Sequence, residues 1–325
     1  MKYQFMVGSY TRNNGKGIYQ LSIDTEKQES ERHLVAEILR PTYLIYRDHH
    51  VFSSAEVDEQ AGVMIYEADE NGLTPKQFVH MNEKSSPAHV ELSKNGQWLV
   101  SSNYHEGCFT IYQKQGDTYQ PYRKVVEPKE NSHVHQAVFC DQDEWLYVVD
   151  LGIDRIKIYD VKADFEFLFE LVFPEGFGPR HLVAVDEYIY CLGEYSHQLA
   201  VFKLSDSKGE LLQIIDTVDE KKEKSTSAAI QLSKNRQFIY TSIRGQDQVS
   251  VFKIGDQGLL EKIQEIEAHG QHPRDILLTK DQRYLLVATK DTDNVSVFEV
   301  DQQQGSLKWV MEAFCEEGVC LAEIL

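Results

Sequence analysis

Short apolar runs rich in Val, Ile, Tyr and Phe recur along almost the whole chain, and Asp, Asn and Gly punctuate them. The pattern is plainest from Asn131 to Asp160, NSHVHQAVFCDQDEWLYVVDLGIDRIKIYD. A polar cluster, Ser132-His133-Val134-His135-Gln136, leads into Ala137-Val138-Phe139 and an acidic turn at Asp141–Glu144. Trp145–Val149 follows and ends in Asp150-Leu151-Gly152. After a turn at Ile153–Arg155, a third run carries Ile156, Ile158 and Tyr159. Runs this short, bounded by turn residues, predict β-strands and not helices. The stretch reads as three antiparallel strands, A, B and C, joined by tight turns.

The same plan recurs. Pro87–Leu92 leads to Trp98–Tyr104 and Cys108–Tyr112, and Gly178–Leu182 to Tyr188–Glu194 and Gln198–Phe202. Ser227–Leu232 leads to Phe238–Arg244 and Gln248–Phe252, and His272–Asp275 to Tyr284–Lys290 and Val295–Phe298. Two weaker copies precede these. One runs from Pro41 through His50–Glu56 to Gly62–Tyr66; the other starts on strand B, Tyr3–Tyr10, with Gly17–Ile23 as strand C. An aromatic closes each strand C: Tyr19, Tyr66, Tyr112, Tyr159, Phe202, Phe252 and Phe298, at spacings of 47, 46, 47, 43, 50 and 46 residues. Seven units of this length predict an all-β, seven-bladed β-propeller. Length alone would suggest two domains; the repeat makes residues 1–325 one.

The chain ends show how the ring closes. The first blade lacks its innermost strand. After an outer strand at Leu307–Phe314, the chain finishes in an alternating apolar tail, GVCLAEIL, Gly318–Leu325. That tail is expected to supply the missing strand and so remove two open sheet edges; the alternative is a frayed terminus.

Composition narrows the function. The formal charge is −19, from 33 Lys and Arg against 52 Asp and Glu, which argues against a nucleic-acid partner. No 18-residue window is free of charge, and no apolar signal core opens the chain, so neither a membrane nor export is expected. The five cysteines show no metal-ligand spacing and read as reduced packing residues of a cytoplasmic protein.

Geometry selects the candidate site. Strand A lines the channel of a propeller and B runs antiparallel to it, so starts of A and ends of B share one face. Starts of A carry His89, His133, His135, Arg180, His181, His272 and Arg274; ends of B and the following turns carry His105, Asp150, Glu194, His197 and Arg244. Seven of the twelve histidines fall in these few turns. The opposite face reads Lys94-Asn95-Gly96, Asp141-Gln142-Asp143, Lys234-Asn235-Arg236 and Lys280-Asp281-Gln282, ordinary solvated turns. His133 and His135, two apart, fall on one side of a strand, with one expected to face the channel mouth. His89 and His181 both follow a Pro in the same register, equally consistent with structural histidines. Arg180, Glu194 and Arg244 interrupt apolar stretches, and a charge there needs a partner or a ligand. An internal Arg–Glu–Arg ion pair and a substrate site are both open at this point.

Five stretches carry a resemblance: Asn103-Tyr104-His105-Glu106-Gly107, Ser132-His133-Val134-His135-Gln136, Asp150-Leu151-Gly152-Ile153-Asp154, Gly178-Pro179-Arg180-His181 and Arg244-Gly245-Gln246-Asp247. Together with Gly8-Ser9-Tyr10-Thr11 they resemble the seven-bladed propeller lactonases, which include bacterial 6-phosphogluconolactonases and fungal carboxy-muconate cyclases. The chain departs from that pattern at Ile243, where the family usually has Asn, and at Thr289-Lys290-Asp291, where it usually has Asn-Gln-Asp. The resemblance implies a site without metal or other cofactor. Its catalytic residues would be Glu194, His135, Arg180 and Arg244, with the His match shared between His133 and His135. Around them, His133, His89, His105, His181 and Arg274 are candidate substrate-binding residues. It also implies a small anionic lactone, a sugar phosphate lactone, as the substrate, with 6-phosphogluconolactone first. Such chemistry needs a base to activate water, Glu194 or His135, and a cation facing the oxyanion. A second Arg would grip an anionic substituent with its planar fork. Two other readings remain: a metal-dependent gluconolactonase-type propeller, which wants converging Asp, Asn and Glu instead of this Arg and His, and a non-catalytic interaction ring.

Overall fold

The structure is a computed structural model that describes residues 1–70, 72–140, 142–205 and 208–324. Asp141 of the acidic turn and Leu325 of the tail lie outside the described residues. The strands form seven four-stranded antiparallel sheets. Six of them use four consecutive strands. The other runs in the order Gly318–Glu323, Lys2–Ser9, Gly17–Asp24, Glu29–Glu37. Phe5 stands opposite Glu323 and Gly8 opposite Cys320, so the C-terminal strand is the innermost strand of the first blade and closes the seven-bladed propeller.

Alternating patterns leave one apolar row on each face of a blade, and each row needs a neighbouring blade to cover it. An apolar cluster fills every one of the seven interfaces. At the joint between the chain's two ends, Tyr3, Phe5 and Val7 pack on Tyr284, Leu286 and Ala288. Glutamines clip the rims of adjacent blades. Gln77 donates to the Tyr119 carbonyl (2.7 Å) and accepts from its N–H (2.9 Å), and Gln213 with Leu260 and Gln264 with Leu307 repeat the device. Among the described residues no helix is long and apolar enough to cross a membrane. Cys108, Cys191, Cys315 and Cys320 are buried thiols.

Two families of β-bulge break the regular pairing. In every blade the register between strands C and D shifts at the aromatic marker, from Tyr19 to Phe298. The even spacing seen in the sequence is thus the spacing of a bulge. The second family lies between strands A and B. There His135, Arg180 and Arg274 are each an extra residue with no partner on strand B.

Candidate active site

The A–B bulges place the chemistry. A bulge twists the strand and re-aims one side chain, and in three blades that side chain is His135, Arg180 or Arg274. Carboxylates in the turns after strand B then fix the neighbouring loops. Asp154 accepts from the Gly176 and Gly178 N–H groups (2.8 and 2.7 Å), just before Arg180. Asp247 accepts from the His272 N–H (2.8 Å), just before Arg274. Asp150 accepts from Ser132 Oγ (2.5 Å), the His133 N–H (2.8 Å) and the Gly152 N–H (3.1 Å), and so holds the loop that leads to His135. Gly152 is required there, because a Cβ would sit 1.7 Å from the Asn131 carbonyl oxygen. The acidic positions of the sequence motifs are therefore loop staples.

Glu194 stands between two arginines. Arg180 Nε lies 2.8 Å and Arg244 Nη2 3.0 Å from the same oxygen, Oε2. The contact with Arg180 is a buried ion pair. Both guanidiniums also donate to strand carbonyls, Arg180 to Ala228 and Arg244 to Ser227 (3.0 Å). Arg180 is only 2% exposed and Arg244 9%. Burial pushes the Glu194 carboxyl up, but Arg244 and Arg180 outweigh it and hold it below the ordinary carboxylate range. Burial, with Arg244 adding, pulls Arg180 down to about 9, which leaves it charged at neutral pH.

The histidines divide into two tiers. His133 stacks on Tyr104, with ring centroids 4.3 Å apart, and its Nδ1 donates to the Tyr104 carbonyl (3.0 Å). His135 meets Tyr104 edge-on and His181 at 5.0 Å, and its Nδ1 has no hydrogen-bond partner. His89 and His181 lie deeper, 5.8 Å apart. Gln136 accepts from the Leu182 N–H (2.8 Å), which leaves its amide to face His89 Nε2 at 3.5 Å. Burial first, then Arg180, holds His135 and His181 well below the usual imidazole range, and pushes His89 down to about 3. All three imidazoles are neutral at physiological pH. His105 is exposed against Tyr104. His197 is held by Ser225 Oγ (3.2 Å), and His272 Nδ1 lies 3.5 Å from Asp291.

One cleft of about 220 Å³ at the channel mouth gathers His135, Glu194, Arg244, Arg274 and His105. His89, His133, His181 and Arg180 stand behind its lining. The cleft also includes Tyr10, Arg12, Arg40 and Tyr104, which the sequence reading did not single out as site residues. The signal for Tyr10 and Arg12 was present: they follow strand B of the first blade, the position that gives Glu194 and Arg244 in others. A larger cleft, about 370 Å³, lies on the opposite face, but turn residues such as Lys234, Asn235, Lys280 and Asp281 line it. Among the described residues no group of three His, Cys, Asp or Glu side chains is placed to hold a metal ion.

The family of the seven-bladed β-propeller lactonases matches residues 4–322. The chain belongs to that family. The 6-phosphogluconolactonase of Bacillus subtilis (strain 168) is 29% identical to this lactonase over 328 residues, covering 94% of this chain and 93% of its own. A crystal structure of a Lactobacillus plantarum protein superposes with a TM-score of 0.94 at 28% identity, over 100% of both chains. The periplasmic gluconolactonase of Pseudomonas aeruginosa superposes with a TM-score of 0.89 over 100% of this chain and 99% of its own. At 23% identity that likeness bears on the fold alone.

Proposed function

We propose that this lactonase is a metal-independent hydrolase of 6-phosphogluconolactone, acting in the cytoplasm within the pentose phosphate pathway. The observation that carries the reading is a neutral imidazole, His135, sharing one cleft with a carboxylate held between two arginines. The name of the Bacillus subtilis relative supports the substrate. The buried thiols of Cys108, Cys191, Cys315 and Cys320 suit a reducing compartment.

In this mechanism the His135 imidazole takes a proton from water as the water oxygen attacks the lactone carbonyl carbon. Arg244, at the cleft wall, faces the oxyanion of the tetrahedral intermediate. Collapse breaks the ring C–O bond, and His135 returns the proton to the leaving ring oxygen. Glu194 fixes both arginines through Oε2. Its Oε1 takes part in neither ion pair, so Glu194 is the second candidate base. The donor set, dominated by Arg and His, supports chemistry without a divalent cation.

The test is hydrolysis of a lactone panel, phosphorylated and not, before and after dialysis against chelator. Activity that persists supports the reading. Activity lost to chelator and restored by calcium or zinc would replace it with the metal-dependent one.

A further inference from the structure

Arg180 is committed to Glu194 and the Ala228 carbonyl, and Arg244 spends Nη2 on Glu194 and the Ser227 carbonyl, with the rest of its guanidinium assigned to the oxyanion. The grip on an acidic substituent has to come from elsewhere. Three other guanidiniums line the same cleft, and Arg40 is paired with Glu56 (3.2 Å), which leaves Arg12 and Arg274. Both lie against one ring, Tyr10, at 4.2 and 5.2 Å from its centroid, with Lys290 Nζ at 5.8 Å. Among the described residues no carboxylate lies within ion-pair reach of either guanidinium, whereas Lys290 is paired with Asp291. A guanidinium packed at an aromatic face without a counter-ion is an open site for an anion.

We propose that Tyr10, Arg12 and Arg274 form an anion subsite, separate from the arginines on Glu194, that holds the phosphomonoester group of the substrate while His135 and Arg244 act on the lactone ring. The proposal rests on the lactone-hydrolase reading above and names the part of the cleft that selects a phosphorylated substrate. Arg12, Arg274 and Lys290, less the paired Asp291, leave about two uncompensated positive charges, which match a phosphate dianion better than a single carboxylate. The field is strong enough to act on Tyr10 itself. Burial pushes its phenol up, yet Arg274, Arg12, Lys290 and Arg244 together hold it below its ordinary range. Such a local cluster also answers the acidity of the whole chain, which otherwise repels an anionic substrate.

Ring closure builds this subsite. Glu317, 3% exposed, lies in the connection to the closing strand. Its Oε2 accepts from the Arg12, Asn13 and Gly15 N–H groups (3.0, 2.8 and 3.0 Å), and its carbonyl accepts from the Tyr10 N–H (3.1 Å). Glu317 is thus a positioning residue for both Tyr10 and Arg12.

The experiment compares Arg12→Gln, Arg274→Gln and Arg274→Lys with the unaltered protein on 6-phosphogluconolactone and on unphosphorylated gluconolactone. Inorganic phosphate serves as inhibitor and, by calorimetry, as a direct ligand. Each Gln variant should raise KM for the phosphorylated lactone roughly 10- to 100-fold, the range for one lost charge-assisted hydrogen bond. It should move KM for the unphosphorylated one far less and should weaken competitive inhibition by phosphate. Arg274→Lys, which keeps the charge and guards against a folding defect, should fall in between. An equal KM change on both lactones, or unaltered phosphate inhibition, overturns the subsite. If the unaltered protein hydrolyses neither lactone, the hydrolase reading fails. Phosphate binding by calorimetry then still decides the subsite, which stands if the Gln variants lose that binding and falls if they keep it.

Discussion

The two ends of the channel are built from the same seven-fold repeat and differ in how far they keep it. At the far end the turns between strands A and B repeat one hydrogen-bond pattern in three blades. Ser93 Oγ donates to Asn95 Oδ1 (2.9 Å) and accepts from the Trp98 N–H (2.8 Å); Ser233 with Asn235 and Phe238, and Thr279 with Asp281 and Tyr284, do the same. Each turn then reaches the next blade through the N–H of Lys94, Lys234 or Lys280, to Asp143 (2.8 Å), Gln282 (2.7 Å) and Glu323 (2.6 Å). At the mouth the blades diverge. The bulged residue is His135 in one, Arg180 in the next and Arg274 in another. Repetition marks what every blade needs to stand in the ring. Departure from it marks what the ring does once.

The largest way to break this comparison is to open the ring, which both ends depend on. Deleting residues 318–325 removes the inner strand of the first blade, the Leu321 contact with the last blade and the Cys320 and Ala322 contacts with the second. It also takes Glu323 from the far-end turn at Lys280. The truncated protein should lose cooperative thermal unfolding or aggregate through its exposed edges. A cooperative transition at an unchanged midpoint would show that closure carries no stability.

The next effect is confined to the mouth. His135→Gln removes the proposed base and should lower turnover about 10²–10⁴-fold while thermal stability stays near that of the unaltered protein. Glu194→Gln leaves Arg180 and Arg244 close together without their anion, so it should lower both stability and turnover. If Glu194→Gln abolishes turnover at an unchanged melting temperature while His135→Gln stays active, Glu194 Oε1 is the base instead.

These variants also show what the sequence made legible. The blades were legible because burial on both faces of each sheet imposes strict alternation, and closure because the tail alternates with no other partner. The ion pairs of Glu194 could be foreseen, since a charge in an apolar run needs one. The bulges could not. An extra residue in strand A shifts the alternation by one position, and in a stretch as short and polar as 133–136 that shift leaves no signal, so nothing in the pattern sets His135 apart from His133. A bulge, not strand period, turns His135 toward the cleft, whereas His133 precedes the strand and is spent on Tyr104. The anion subsite stayed hidden for another reason. Arg12 and Arg274 are 262 positions apart by their numbers and meet only across the closing joint.

A smaller effect separates the buried tier of histidines from the solvated far end. His89, His135 and His181 have folded pKa values below the ordinary 6.5, so the unfolded chain takes protons that the folded one refuses. Stability should therefore fall as pH drops below about 6.5, by about 1.4 kcal/mol per pH unit for each such group. Urea midpoints between pH 7 and 5 read this slope, against which the raised carboxyls of Glu91 (about 8) and Asp275 (about 6) act in the opposite sense. His89→Gln should reduce it by one proton; a superimposable pH profile would mean that His89 takes its proton at the same pH folded as unfolded.

The smallest effect is the sharpest comparison, between one serine at each end. Ser233 Oγ serves the far-end turn through Asn235 and the Phe238 N–H, and Ser132 Oγ donates to Asp150 in the loop before His135. Both are nearly buried, at 7% and 5% exposure, and each change to Ala loses hydrogen bonds worth about 1 kcal/mol apiece. The two variants should therefore shift the thermal midpoint by similar, small amounts. Their kinetics should differ. Ser233→Ala touches no residue of the cleft and should keep kcat and KM on a phosphorylated lactone. Ser132→Ala loosens Asp150, which also holds the His133 N–H and the Gly152 N–H, and so frees the loop that presents His135. It should lower kcat several-fold with KM little changed, since the anion subsite lies on other blades. Equal kinetic loss in both variants would mean that the mouth is sensitive to general loosening of the ring. The division between a repeated structural end and a singular chemical end would then fail.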